Sequence, residues 1–483
     1  LNIVISTGLA LLLPWGCGTL WLCACPIYRS GTGFWPMVLG YGYLLGILAA
    51  TVLLRMMDRF AIPLNFTGPA IILIVVTTWI GWQRRHFLSS LRFNPTTEQP
   101  ASFWIKTLWV LLLIWLAVRW INLALEVLWL PMYPWDAWST WMVRPQAWLE
   151  WKQLVPFSDA ESWLADTTGR IYHIEGWQYP LTVSLIALWS ALASGQWHEA
   201  AVNSAWWGCG LALALGFYGQ ARLWGATALT ALIFTWLLLS LPLLNAHIAL
   251  AGYADLWLAT VFGLAAISFM QWVRLREVRQ GILALGLGLF CPTIKLEGII
   301  WALLLLIAAL TTVLPKRYVA GLASVIVVAI IALLAAGGWT TTIPGLGELQ
   351  ITAHLIRIPG LGQLPLVYWN NWSAVIDSGF MLDNWHVFFY PVPLTFLLAL
   401  WRIVDEKRAD LIITTGFITL LLSAFFVLFF CTAAGQWAKD FTSINRIMLH
   451  LIPAILFWML TVFIPPGSSN QPAGLIPAGS VPR

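Results

Sequence analysis

The chain has 483 residues, 60% of them hydrophobic and only 9% charged, whereas an ordinary soluble domain carries roughly 25% charged residues. A mean hydropathy of +0.82 and repeated apolar runs of roughly 20 residues, the length a helix needs to cross a bilayer, exclude a water-soluble, fibrous or disordered protein and predict a multi-pass membrane protein. The net charge of +5 is too dilute for a nucleic-acid partner and bears only on orientation in the bilayer.

Apolar runs set against charged breaks predict an all-α polytopic architecture of about 13 transmembrane helices. Residues 1–83 hold three early spans, Ile3–Ile27, Phe34–Leu54 and Ile62–Trp82. The first lacks a basic flank and is expected to remain a span rather than act as a cleavable signal. A loop over 84–106 carries Arg84, Arg85, Arg92 and Lys106. The module 107–464 begins with the span Thr107–Leu130, in which Arg119 and Glu126 share a face and are expected to turn away from lipid. A long Trp-rich stretch over 131–199 follows, with five prolines, and reads as a loop domain at the membrane surface. Within it Trp138, Trp141, Trp148 and Trp151 fall on one side of an expected amphipathic interfacial helix, bent near Pro145. Nine more spans are expected: Ala200–Gly219, Ala226–Leu244, Tyr253–Trp272, Gly281–Thr293, Gly298–Leu314, Tyr318–Trp339, Val387–Trp401, Leu411–Thr432 and Ile447–Ile464. A second non-spanning stretch covers 340–386, and 465–483 reads as a disordered Pro- and Gly-rich tail. The six cysteines (Cys17, Cys23, Cys25, Cys209, Cys291 and Cys431) sit in or beside apolar runs and read as packing filler.

Charge bias sets the sides. The loop 84–106 and the short connections holding Arg222, Arg274, Arg276, Arg279, Lys316, Arg317, Arg402, Lys407 and Arg408 collect more than half of the 25 Lys and Arg, so they are expected in the cytoplasm. The loops 131–199 and 340–386 then face the exterior or periplasm, and parity puts the N-terminus outside.

Charged groups at membrane depth are candidates for function. Asp136, flanked by Trp135 and Trp138, leaves the membrane on the outer side and reads equally as a half-desolvated base or as a helix N-cap. Arg144 and Lys152 could wall a headgroup cavity. The run from Tyr172 to Pro180 gathers His173, Glu175 and Tyr179, suited to hydrogen bonding and stacking on a substrate, with loop filler as the plain alternative. Two ligands, His173 and Glu175, do not make a metal site. Tyr253 and Asp255 precede a span. Lys295 and Glu297 interrupt two others, and Lys295 either pairs with Glu297 or meets a lipid phosphate. Arg446, before the last span, offers a bidentate fork for phosphate.

The order of these features resembles the GT-C glycosyltransferases: an outer-side Asp motif, a long first loop with Tyr179-Pro180-Leu181, Ala-Arg-Leu-Trp-Gly at 221–225, Gly-Tyr-Ala-Asp at 252–255, Lys-Leu-Glu-Gly at 295–298 and a late Arg. Within that superfamily it is most similar to bacterial members related to protein mannosyltransferases and lipid A aminoarabinose transferases. The resemblance implies a GT-C-like fold and inverting transfer of a sugar from a polyprenyl-phosphate donor to an acceptor hydroxyl on a lipid, glycan or protein, at the periplasmic face of a bacterial inner membrane. It implies Asp136 as general base, Lys295, Arg446 and Arg144 on the donor phosphate, and Asp255, His173, Glu175, Tyr179, Trp135, Trp138, Tyr253 and Glu297 around substrate. The chain departs from it at Asp136-Ala137, which lacks a second adjacent carboxylate. No metal or other cofactor is expected; a divalent ion is compatible but not indicated. Two other readings stand beside it: an O-antigen ligase or polymerase-like enzyme with a lipid-pyrophosphate donor, and a lipid-glycan flippase or transporter, which would show internal repeats and broken helices.

Overall fold

The computed structural model describes residues 2–25, 32–90, 102–345, 347–359 and 362–464. Arg92 and the tail expected over 465–483 lie outside the described residues. Helices form where spans were expected. Seven of them, among the described residues, are long and apolar enough to cross a membrane, or eight if the bent pair Ala228–Leu239 and Pro242–Ala249 is one span. Fewer therefore meet the requirement than the 13 expected, in part because Thr67–Gln83, Val278–Ile294 and Gly298–Val313 are only 16 or 17 residues long. The chain is a mostly helical, multi-pass membrane protein.

The helices Asp255–Leu275 and Thr442–Phe463 form the centre, with 94% and 89% of their most apolar windows buried inside the protein. By contrast, Phe103–Trp129 buries only 6% and presents Trp104, Leu111, Ile114 and Val118 outward, as expected of a helix facing lipid on most sides. Between these extremes, Phe34–Arg59 docks against Glu199–Trp224 at small residues. A Cβ on Gly40 would stand 2.3 Å from the backbone nitrogen of Gly216, so the two helix backbones touch, the packing mode that apolar solvent favours. A buried polar cluster pins the same region: Gln220 Nε2 donates to the Tyr41 hydroxyl at 3.0 Å and to Gln280 Oε1 at 3.0 Å.

Side-chain contacts sort the helix ends into two layers. At one end Arg274 stacks over Trp224 at 4.5 Å, Arg276 donates to the Thr312 carbonyl, and Arg408 to the Thr461 and Ile464 carbonyls. These cations meet the C-termini of three helices, Glu199–Trp224, Gly298–Val313 and Thr442–Phe463, where the backbone dipoles are negative. At the other end Asp58 Oδ1 accepts from Leu154 N at 2.9 Å, Leu64 N donates to the Lys152 carbonyl, Arg55 Nη2 donates to Thr182 Oγ1, and Glu199 Oε2 accepts from Met132 N. The first helices thus hold the 131–199 stretch in place.

That stretch differs from expectation in two respects. Ala137–Trp141 forms a π-turn and Val143–Trp151 a separate α-helix. The wider turn shifts the phase of the tryptophan stripe: Trp141 and Trp148 are buried while Trp138 and Trp151 are exposed. In addition Thr182–Ser194 is a helix buried along almost its whole length. It spans roughly 20 Å at 1.5 Å per residue, too short to register as a crossing. The second stretch, expected only to be non-spanning, carries a four-stranded antiparallel sheet of Trp339–Ile343, Gly347–Ile351, Leu355–Ile358 and Gly362–Pro365. The span expected over Ala226–Leu244 breaks by 67° before Pro242. Asn245 Nδ2 caps the carbonyls of Leu239 and Leu241, and its Oδ1 accepts from Arg119, which gives that membrane-depth cation its partner.

Candidate functional site

The site lies at the end of the bundle opposite the arginine-capped layer, where four pieces of chain turn around. The Phe103–Trp129 helix stops before Pro131 and Pro134, and the next turn starts at Asp136. Asp136 makes no side-chain cap to that turn, so its carboxylate is free to project sideways. Gly252, at φ +112°, approaches so closely that a Cβ there would stand 2.4 Å from the Ala137 Cβ. This contact brings the Asp136 turn against the start of the Asp255–Leu275 helix. It also explains the missing second carboxylate: Ala137 is fully buried, with no room for a longer side chain. In the third piece, the Val278–Ile294 helix ends after Pro292, Lys295 adopts an extended backbone, and the chain reverses into Gly298–Val313. The fourth is the first turn of Thr442–Phe463, which supplies Arg446.

Asp255 is the hub of the cluster and is completely buried. Its Oδ1 accepts from Lys295 Nζ at 2.8 Å and from His450 Nε2 at 3.0 Å. Its Oδ2 accepts from Arg446 Nε at 2.8 Å and Nη2 at 2.8 Å. With both oxygens occupied, Asp255 positions its neighbours and has nothing left for a substrate. Arg446 Nη2 also reaches Asp136 Oδ2 at 2.7 Å, and its guanidinium lies over the Tyr253 ring at 4.8 Å. Burial raises the Tyr253 hydroxyl above its ordinary pKa, with Arg446 opposing the rise. Lys295 Nζ makes a second ion pair with Glu297 Oε1 at 3.0 Å.

Above the cluster is a cavity of about 210 Å³. Asp136, Lys295 and Arg446 supply its charged floor, and Trp135, Trp141, Tyr179, Glu175, Gln178, Ser139 and Thr140 line its walls. Such a mixture of ionised, hydroxyl, amide and aromatic groups suits a polar ligand with hydroxyls and a charged part.

Nine of the residues singled out from sequence meet here: Asp136, Asp255, Lys295, Glu297, Arg446, Tyr253, Glu175, Tyr179 and Trp135. Trp138 packs edge-on against Trp135 at 4.8 Å and is exposed. Two others stand elsewhere. His173 pairs with the Ser158 carbonyl and stacks on Trp163, away from the cavity. Arg144, expected on a donor phosphate, is buried and donates to the carbonyls of Gly176, Trp177 and Tyr179. It clamps the loop that carries Glu175 and Gln178, and burial lowers its pKa to about 10. Arg144 therefore shapes a wall and is not available to an anion.

His450 escaped the sequence reading because it lies inside an apolar span. It is four residues from Arg446 and so on the same helix face, a spacing that could have flagged it. Trp301 Nε1 donates to His450 Nδ1 at 3.3 Å, which leaves Nε2 to carry the hydrogen toward Asp255. Among the described residues no three His, Cys, Asp or Glu side chains gather as a metal site would require.

No family model matches the chain, and neither the curated proteins nor the solved structures contain a match to it.

Proposed function

We propose that the protein is a membrane glycosyltransferase of the GT-C type, which moves a sugar with inversion from a polyprenyl-phosphate donor to an acceptor hydroxyl of a lipid, glycan or protein at the periplasmic face of a bacterial inner membrane. The observation that carries this reading is the placement of Asp136, Lys295 and Arg446 on the floor of one cavity. In-line displacement at a sugar carbon needs a carboxylate to take the proton of the attacking hydroxyl and cations to stabilise the departing phosphate. Asp136 is the general base, and Lys295 and Arg446, held by Asp255, receive the phosphate. Glu175, Gln178 and Tyr179 face the sugars, with Trp135 beside them.

The charge distribution supports this sidedness. The layer capped by Arg274, Arg276 and Arg408 is the basic one, which membrane insertion keeps in the cytoplasm, and the cavity is at the opposite end. Taken as crossings, Thr67–Gln83, Val278–Ile294, Gly298–Val313, Lys316–Ala335 and Pro391–Asp405 would bring the seven long helices and the bent pair to 13, an odd number that would put the N-terminus on the cavity side. A transporter reading draws on the 67° break in the Ala228–Leu239 and Pro242–Ala249 pair. That break is sealed by Asn245, so the transferase reading is preferred.

The test is transfer by purified protein in nanodiscs from a small panel of polyprenyl-phosphate sugars, comparing the parent with Asp136→Asn. Consumption of one donor by the parent alone is the expected result. If the variant turns over donor as fast as the parent, Asp136 is not the base and the reading falls.

A further inference from the structure

Charge balance at the cavity bears on how a phosphate could enter. Four carboxylates, Asp136, Glu175, Asp255 and Glu297, stand around two cations, Lys295 and Arg446. The cations are already engaged: Lys295 by Asp255 and Glu297, Arg446 by Asp255 and Asp136. An incoming phosphate would meet a surplus of negative charge in a partly desolvated pocket, where like charges repel strongly. One carboxylate has to yield.

Of the three that hold a cation, Asp255, Glu297 and Asp136, only one can do so cheaply. Asp255 is completely buried and holds two cations and His450, so releasing it would strand buried charge, an expensive outcome. Glu297 sits at the start of a helix and faces the deeply buried Lys295. The Asp136 side chain is 35% exposed, touches Arg446 through a single oxygen and rides on a π-turn that it does not cap. On leaving Arg446 it returns to water inside the same cavity.

We infer that the Asp136 carboxylate stands, in this arrangement, where an oxygen of the donor phosphate binds, so that donor binding exchanges one anion for another at Arg446 and frees Asp136 to face the acceptor hydroxyl. This inference rests on the transferase reading and adds an order to it: donor first, then acceptor. While the donor is absent the base stays tied to Arg446, and Asp255 keeps Arg446 in position throughout the exchange.

The experiment measures equilibrium binding of two probes, farnesyl phosphate and inorganic phosphate, to the full-length protein in detergent. Farnesyl phosphate separates a lipid headgroup from free phosphate as the source of the anion. The parent is compared with Asp136→Asn, which removes the competing charge, and with Glu175→Gln, which removes an equal charge from the same cavity without touching Arg446. The exchange predicts that Asp136→Asn tightens phosphate binding roughly fivefold, the scale of a partly exposed ion pair, and that Glu175→Gln tightens it distinctly less. Equal gains in the two variants, or no gain in Asp136→Asn, overturn the exchange while leaving phosphate as the ligand. Absence of binding by parent and variants alike overturns both the exchange and the donor reading. A measurement on the parent guards against a misfolded variant: amide hydrogen exchange over 135–141 should accelerate on adding farnesyl phosphate as the turn loses its tie to Arg446. Unchanged exchange in a protein that binds the probe refutes the inference.

Discussion

Replacing Asp255 with Asn tests whether the cluster is organised as described. The amide is nearly the same size, so packing is kept while the charge is lost. Its oxygen can face either the Lys295 and His450 side or the Arg446 side, and its NH2 group then points at the donors of the other. In one orientation Arg446 Nε and Nη2 lose their 2.8 Å contacts to Asp255. In the other, Lys295 Nζ loses its 2.8 Å contact and His450 its 3.0 Å contact. Breaking a buried ion pair by removing one partner costs about 3–5 kcal/mol, and here two cations share the loss. The melting midpoint, followed by tryptophan fluorescence in detergent, should fall by roughly 5 °C or more. Glu297→Gln is the internal comparison, since the Glu297 side chain is 26% exposed and, among the described residues, forms an ion pair with Lys295 only, so its effect should be clearly smaller. A melting midpoint for Asp255→Asn that matches the parent, or that equals the Glu297→Gln value, would refute the assignment of Asp255 as the hub.

Three further outcomes follow from packing. Arg144→Met leaves three carbonyls without their guanidinium, and at about 1 kcal/mol or more per stranded buried group the loss should reach about 3 kcal/mol; limited proteolysis within 172–180 should accelerate, and unchanged cleavage would show that the loop does not depend on the clamp. Ala137→Asp, which restores an acidic pair beside Asp136, should disrupt the site, because the Ala137 side chain already abuts Gly252 at what would be a 2.4 Å Cβ contact; a variant with normal thermal stability and normal phosphate binding would contradict this. Gly40→Ala places a methyl group 2.3 Å from Gly216 N and 2.5 Å from the Ala212 carbonyl, so size-exclusion profiles should show loss of the monodisperse species, and a parent-like profile would mean that Phe34–Arg59 is not an integral wall of the bundle.

The charged members of the site were legible in the sequence because ions are rare in a chain this apolar. Asp136, Asp255, Lys295 and Arg446 each stand at the edge of an apolar run, where the energy cost of a charge demands a partner. What the sequence does not carry is which ions meet. It left Lys295 between Glu297 and a phosphate, whereas Lys295 bonds both Glu297 and Asp255. Arg144 was misassigned for a related reason: its partners are backbone carbonyls, which every residue possesses and no pattern advertises. His173 carries suitable chemistry but sits in a two-residue strand pairing with Phe157–Ser158, a tertiary placement beyond the reach of local spacing. The tryptophan stripe failed because a π-turn, at more than 3.6 residues per turn, breaks the helical phase on which the stripe was drawn. Thr182–Ser194 was hidden by its length alone.

The cluster around Asp255 is not what stability by itself would select. Burying ions removes their hydration, and replacing a buried ion group by well-packed apolar side chains is often neutral or stabilising. The surrounding helices are rich in Leu, Trp, Phe and Ala that pack without polar help, so the bundle has an apolar solution available at these positions. Yet Asp255 from one helix, Arg446 and His450 from another and Lys295 from the break between two more converge within hydrogen-bonding distance. They stand beneath a cavity rather than deep between helices, and the outermost members, Arg446 and Asp136, remain partly open to it. A graded arrangement of this kind, with a fully buried carboxylate fixing two cations whose outer edges face a polar pocket, lowers the reorganisation needed when an anion arrives. Preorganisation for a charged ligand accounts for the position, the burial gradient and the saturation of Asp255 together, which a purely structural ion pair does not.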